Sequence, residues 1–146
     1  MKSYILVVED SDEDFLILQR AFSKCGITEP VMRFDDGQGA AEYLLTVEDK
    51  QMDRYPGLIL LELNLPDMDG RAFLDWIKNR PVLKRIPVVV LTTSINNDDV
   101  NECYLRGANS YLCKPQQFDK FLNVVQLVKQ YWFEVSVMPF KLEPIA

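Results

Sequence analysis

The chain has 146 residues, 48% hydrophobic and 26% charged, with a net charge of −6 and a pI near 4.7. That length fits one domain, and the acidic balance argues against the chain gripping nucleic acid by itself. It has no histidine, and its three cysteines (Cys25, Cys103, Cys113) are widely spaced; this excludes a Ser-His-Asp triad, a His-ligated metal, an in-chain phosphohistidine, a zinc site and a disulfide framework.

Short β-type runs then alternate with amphipathic helices. Tyr4 to Val8 reads as a buried strand, and Ser11, with Asp14 three residues on, caps a helix carrying Phe15, Leu18, Ala21 and Phe22 up to Gly26. Val31 to Phe34 is a second strand, and Asp36-Gly37 opens a helix with Ala40, Ala41, Tyr43, Leu44 and Leu45. Leu58 to Leu61 is apolar without alternation, as in a parallel strand covered on both faces. Phe73, Leu74 and Ile77 mark a helix that stops before Pro81. Val88 to Leu91 is the fourth strand, Asn97 is the expected cap of a helix through Leu105 that ends at Gly107, and Ser110 to Cys113 is the fifth strand. Phe118 to Phe133 is the last helix.

This alternation predicts an α/β fold, a five-stranded parallel sheet of flavodoxin-like order flanked by helices on both faces. One domain over residues 1–133 is expected, followed by an arm over 134–146, with no room for an output domain. No apolar run approaches the ~18–20 residues of a membrane span, and Met1-Lys2-Ser3 leads into a strand rather than a signal peptide. The expected location is the cytoplasm, with no membrane or nucleic-acid partner.

Ligands of such sheets sit at the carboxyl ends of the strands. Four strand ends converge there: Glu9-Asp10, Glu62, Thr92-Thr93 and Lys114-Pro115. Three gathered carboxylates gain strongly from a divalent cation, and hard oxygen donors suit Mg²⁺. With Lys114 and the Thr92 hydroxyl, they supply the parts for phosphoryl transfer onto an acidic side chain.

On these residues the chain resembles a two-component response-regulator receiver domain, CheY-like in fold. The motifs are Val7-Val8-Glu9-Asp10, Leu63 through Gly70, Val89-Val90-Leu91-Thr92-Thr93 and Lys114-Pro115. Leu83-Lys84-Arg85-Ile86-Pro87, Ser94-Ile95-Asn96 and Tyr131-Trp132-Phe133 are similar to small stand-alone regulators of bacterial and cyanobacterial phytochrome kinases. The resemblance implies a non-enzymatic signalling protein that receives a phosphoryl group from a sensor histidine kinase. It implies Mg²⁺ held by Glu9, Asp10, the acceptor carboxylate and the Asn64 backbone carbonyl. Thr92 would be the switch hydroxyl, Lys114 the cation that pairs with the phosphoryl group, and Tyr111 the aromatic that reports activation; the Lys114-Pro115 bond is usually cis in the family.

The departure is at the acceptor, an aspartate in the family and Glu62 here. One more methylene moves the carboxylate by roughly 1.5 Å, enough to displace a nucleophile from attack geometry and push it toward Thr92 and Lys114. Glu62 then blocks phosphorylation, mimics it in part with less charge than a phosphoryl group, or still accepts the group where the methylene is tolerated; the sequence leaves these alternatives open. The alternative function is a pseudo-receiver that acts by docking alone. A flavodoxin-type electron carrier is set aside, because Glu9 through Asp14 would repel a flavin phosphate.

The last helix has two apolar stripes. Phe118, Phe121, Leu122, Val125, Val128 and Trp132 suffice to cover the sheet, while Val124, Leu127 and Tyr131 lie on another face. Val135 and Val137 alternate with polar residues beyond it. A homodimer through this face and the arm is expected, as the resemblance also implies.

Overall fold

The structure, a computed structural model, describes residues 3–48 and 55–139. Five parallel strands, β1 (Ile5–Val8), β2 (Val31–Phe34), β3 (Leu58–Leu61), β4 (Val88–Thr92) and β5 (Ser110–Cys113), form one sheet in the order β2-β1-β3-β4-β5. Five helices join and follow them: α1 (Asp12–Lys24), α2 (Gly37–Val47), α3 (Gly70–Lys78), α4 (Asn97–Leu105) and α5 (Phe118–Lys129). This is the CheY-like receiver fold. β1 is an inner strand, and the chain steps from it to the edge strand β2 and then back past it to β3, reversing direction across the sheet between β1 and β3. That reversal opens a crevice at the carboxyl ends of these strands.

Side chains alternate across a strand with period two, so each strand feeds two cores. Leu6, Val8, Ile59, Leu61, Val88 and Val90 pack on one face with α2, α3 and Cys103 of α4. Ile5, Val7, Leu58, Leu60, Val89 and Leu91 pack on the other with Leu18, Ala21 and Phe22 of α1 and Phe121, Val125 and Val128 of α5. The register Val8↔Leu61 levels the ends of β1 and β3, and Leu61↔Val90 lets β4 run two residues further, to Thr92.

Caps fix where the helices begin. Ser11 Oγ accepts from Asp14 N at 3.1 Å and Asp36 Oδ1 from Gly39 N at 2.6 Å, each satisfying a free N–H of the first turn. For α4 the cap is Asn96 rather than Asn97: its Oδ1 accepts from Asp98 N at 2.8 Å. A 3₁₀ turn, Leu83–Arg85, not foreseen from the sequence, precedes β4. The last helix is α-helical to Lys129 and widens into a π-helical segment, Gln130–Val135. All described peptide bonds are trans, Lys114-Pro115 included, in place of the cis bond implied by the resemblance.

The start of the arm folds onto its own domain. Met138 is buried, and a Cβ at Gly57 would stand 2.7 Å from its Sδ. The rest of the expected arm, 140–146, lies outside the described residues. No described helix is long and apolar enough to cross a membrane.

Candidate functional site

The same period of two sorts the strand-end residues. Glu9 and Glu62 continue the rows of Val7 and Leu60, and Lys114 that of Leu112, all on the α1/α5 face. Lys114 N donates to Thr92 O at 2.7 Å, holding the lysine just past the end of β5. From there its ammonium reaches three carboxylates. It contacts Glu9 Oε1, and lies 3.1 Å from Asp14 Oδ2 and 3.0 Å from Glu62 Oε1. The side chains of Lys114, Glu9 and Glu62 are only 12%, 6% and 9% exposed, so these charges interact with little screening by water.

The electrostatics follow from that enclosure. Burial alone would pull the Lys114 ammonium down, but the hydrogen bond to Glu9 and the charges of Glu62 and Glu9 hold it well above the usual lysine range. Burial pushes the Glu9 carboxyl up, against the opposing pull of Lys114. Glu9 Oε2 also accepts from Ser11 N at 3.2 Å.

Glu62 curls back on its own loop. Its Oε2 accepts from Leu63 N at 2.7 Å while Oε1 faces Lys114. The loop can close this tightly because residue 70 is glycine: a Cβ there would lie 2.6 Å from Leu63 Cα. Asp67, at φ 61°, takes the left-handed turn that aspartate tolerates better than most residues. The Glu62 carboxylate thus lies on Lys114 and makes no hydrogen bond to Thr92 Oγ1. Thr92 is fully buried, and its Oγ1 has no hydrogen-bond partner among the described residues. A buried hydroxyl left this way lacks about 1–3 kcal/mol of compensation.

Oxygen atoms of Glu9, Asp14 and Glu62 all lie within 4.8 Å of one another. Three carboxylates against one ammonium leave net negative charge, and such a donor set fits a hard divalent cation. Asp10, named from the sequence as a ligand, is exposed and outside this group, and Asn64, named for its backbone carbonyl, is exposed on the loop after β3. The sequence marks Asp14 only as part of a cap. A signal for its role in the site is nevertheless present: Asp14, Leu18, Ala21 and Phe22 share one helix stripe, so a carboxylate extends the apolar face of α1 toward the strand ends.

Tyr111 lies on the other face, packed beside the α2/α3 core. Its hydroxyl donates to Ser94 O at 2.9 Å, and Ser94 Oγ donates to Asp99 Oδ2 at 2.7 Å. Asp99 pairs with Arg71, whose Nη1 also lies 3.2 Å from Asp69 Oδ1. The loop carrying Ser94 is therefore tied to α3, α4 and β5 together. Of the residues expected in a dimer, Leu127, Tyr131, Val135 and Val137 are exposed, whereas Val124 is half-buried against its own core.

Response regulator Rcp1 of Synechocystis sp. is 41% identical over 135 residues, which is 92% of this chain and 92% of that protein. The solved structure of the Mn(2+)-bound form of Rcp1 has 40% identity and a TM-score of 0.83, covering 94% of this chain and 99% of that one. The structure of the phosphorylated cyanobacterial phytochrome response regulator RcpA has 37% identity and a TM-score of 0.84, covering 95% and 99%. With residues 5–126 matching the response regulator receiver domain, the chain belongs to that family.

Proposed function

We propose that this chain is a phosphorelay receiver of the phytochrome class, with Glu62 at the acceptor position. The observation that carries this reading is the Lys114 ammonium held among Glu9, Asp14 and Glu62 at the carboxyl edge of the sheet. A Glu62 oxygen would attack the phosphorus of a donor phosphohistidine. An O–P bond forms, the N–P bond breaks, and the imidazole leaves with the electron pair. Glu9, with Asp10 and the Asn64 carbonyl drawn in from the exposed loops, would hold Mg²⁺, which neutralises phosphoryl oxygens when bound. Lys114 would shift from the carboxylates to the phosphoryl group, and Thr92 Oγ1 would gain the partner it lacks, drawing Tyr111 and the Ser94 loop after it.

The donor is a sensor histidine kinase in the cytoplasm, a phytochrome by analogy with RcpA, and the output is docking rather than turnover. One domain spans 1–133. Two copies pair through Leu127, Tyr131, Val135 and Val137, with Val124 beneath them; a Leu127→Glu chain that sediments like the parent would remove this pairing.

The deciding experiment is intact mass after incubation with Mg²⁺ and acetyl phosphate, for this chain beside Glu62→Asp. Phosphoryl uptake mapped to Glu62 is the expected result for an active acceptor. Uptake by Glu62→Asp alone makes Glu62 a block or partial mimic on a competent scaffold. Uptake by neither leaves a docking module.

A further inference from the structure

Beneath the carboxylates a cavity of about 420 Å³ runs between α1 and α5 over the sheet. Its size lies within the range of small-molecule sites. Its two ends differ chemically. Glu9, Asp14, Glu62 and Lys114 form one end, while Leu18, Leu60, Leu91, Phe118 and Phe121 line the body. Arg20 stands at the wall six residues along α1 from Asp14, roughly 9 Å along the helix.

A divalent cation would satisfy only the acidic end, because the body offers almost no oxygen donors. Lys114 offsets one of the three carboxylates, so this end keeps a net negative charge of two and attracts a cation. The apolar walls reward a hydrocarbon or aromatic body at about 25 cal/mol per Å² removed from water. Arg20 disfavours a second positive charge at the far side.

We propose that this cavity binds a small organic monocation, an amine or amidine on an apolar body, with its charge on Glu9, Asp14 and Glu62. The site shares Glu9, Glu62 and Lys114 with the proposed phosphoryl site, but occupancy of the cavity does not require phosphorylation. Its ligand and a divalent cation exclude each other at the carboxylates, which would make the receiver answer to a small molecule as well as to a kinase.

Benzamidine is a suitable probe, with neutral benzamide as its isostere, added to ¹⁵N-labelled full chain without divalent cations. The expected result is saturable shifts at the amides of Leu18, Leu91 and Phe121, with a millimolar or tighter Kd for benzamidine. Benzamide binds at least roughly tenfold more weakly. Ile17→Trp, which fills the cavity from its half-buried wall, abolishes the shifts. Absence of saturable shifts at these amides, or shifts only elsewhere, overturns the proposal. Equal binding of benzamide overturns the cationic class. Both results are measured on the unsubstituted chain, so they stand even if Ile17→Trp does not fold.

Discussion

Two enclosed lysines hold opposite ends of this sheet, and they are solvated by different chemistry. At the carboxyl end, Lys114 lies among three carboxylates and is held well above the ordinary lysine range despite its burial. At the amino end, Lys78 closes α3 by donating to three neutral oxygens: Ile86 O at 2.9 Å, Lys84 O at 3.1 Å and Asn109 Oδ1 at 3.2 Å. No carboxylate pairs with it among the described residues, and burial pulls its ammonium down to about 8. Burial pulls both ammoniums down; the partners decide the sign of the net shift. The amino end uses a lysine as a clip between backbone segments. The carboxyl end stores excess negative charge around one, and stored charge is what a cation or a phosphoryl group can exploit.

The largest expected effect tests the acidic end. Lys114→Met, without divalent cations, leaves three carboxylates facing each other and should lose about 3–5 kcal/mol in urea unfolding at pH 7. Because the folded ammonium is held above its unfolded value of 10.5, the parent's advantage is complete below pH 10.5 and is lost only as pH rises through the folded value. Added Mg²⁺ should restore more stability to Lys114→Met than to the parent. Equal gains in both proteins would mean that the carboxylates do not form a cation site.

A smaller effect is expected at the other end. Lys78→Met removes three hydrogen bonds but also a buried charge, so its loss at pH 7 should be about 1 kcal/mol. The pH dependence is the sharper observable. Between about 8 and 10.5 the unfolded chain keeps a proton on Lys78 that the folded chain releases. Parent stability therefore rises with pH across that window relative to Lys78→Met. Parallel curves for the two proteins would show that Lys78 keeps its proton.

The smallest effect makes one end resemble the other. Asn109→Asp gives Lys78 a carboxylate partner where Asn109 Oδ1 now accepts from both Lys78 Nζ and Val88 N. It should raise the Lys78 pKa and flatten the alkaline rise, with little change in midpoint at pH 7. An unchanged rise would mean that a nearby negative charge is not what separates the two lysines.

Legibility followed the kind of signal. The bounds of β2, β3 and β5 came out residue for residue, because short β-type runs between breakers leave few alternatives. The α4 cap was misplaced by one because Asn96 and Asn97 are equally good caps by type, and only backbone geometry selects Asn96. Glu9, Glu62 and Lys114 were grouped from their positions at strand ends. Asp14 was missed as a partner of Lys114 because its link to the site runs through the rotation of α1, which a strand-end argument does not include.

The arm shows the same limit. The sequence read Val135 and Val137 as alternating in an arm beyond the helix; both are exposed, but Val135 still belongs to the π-helical segment, and that Met138 folds inward onto the region of Gly57 was not foreseen. The cavity between α1 and α5 was likewise invisible, since its walls come from strands and helices far apart in the chain.

The sequence by itself determined the alternation of elements, the parallel sheet, the edge where charge collects and the departure at Glu62, because these depend on local periodicity and residue type. Tertiary structure alone decided that one ammonium serves three carboxylates, that Thr92 Oγ1 is enclosed without a partner among the described residues and that a cavity opens below them. Those features depend on distances between residues as much as 105 positions apart, as for Lys114 and Glu9, and only packing sets such distances.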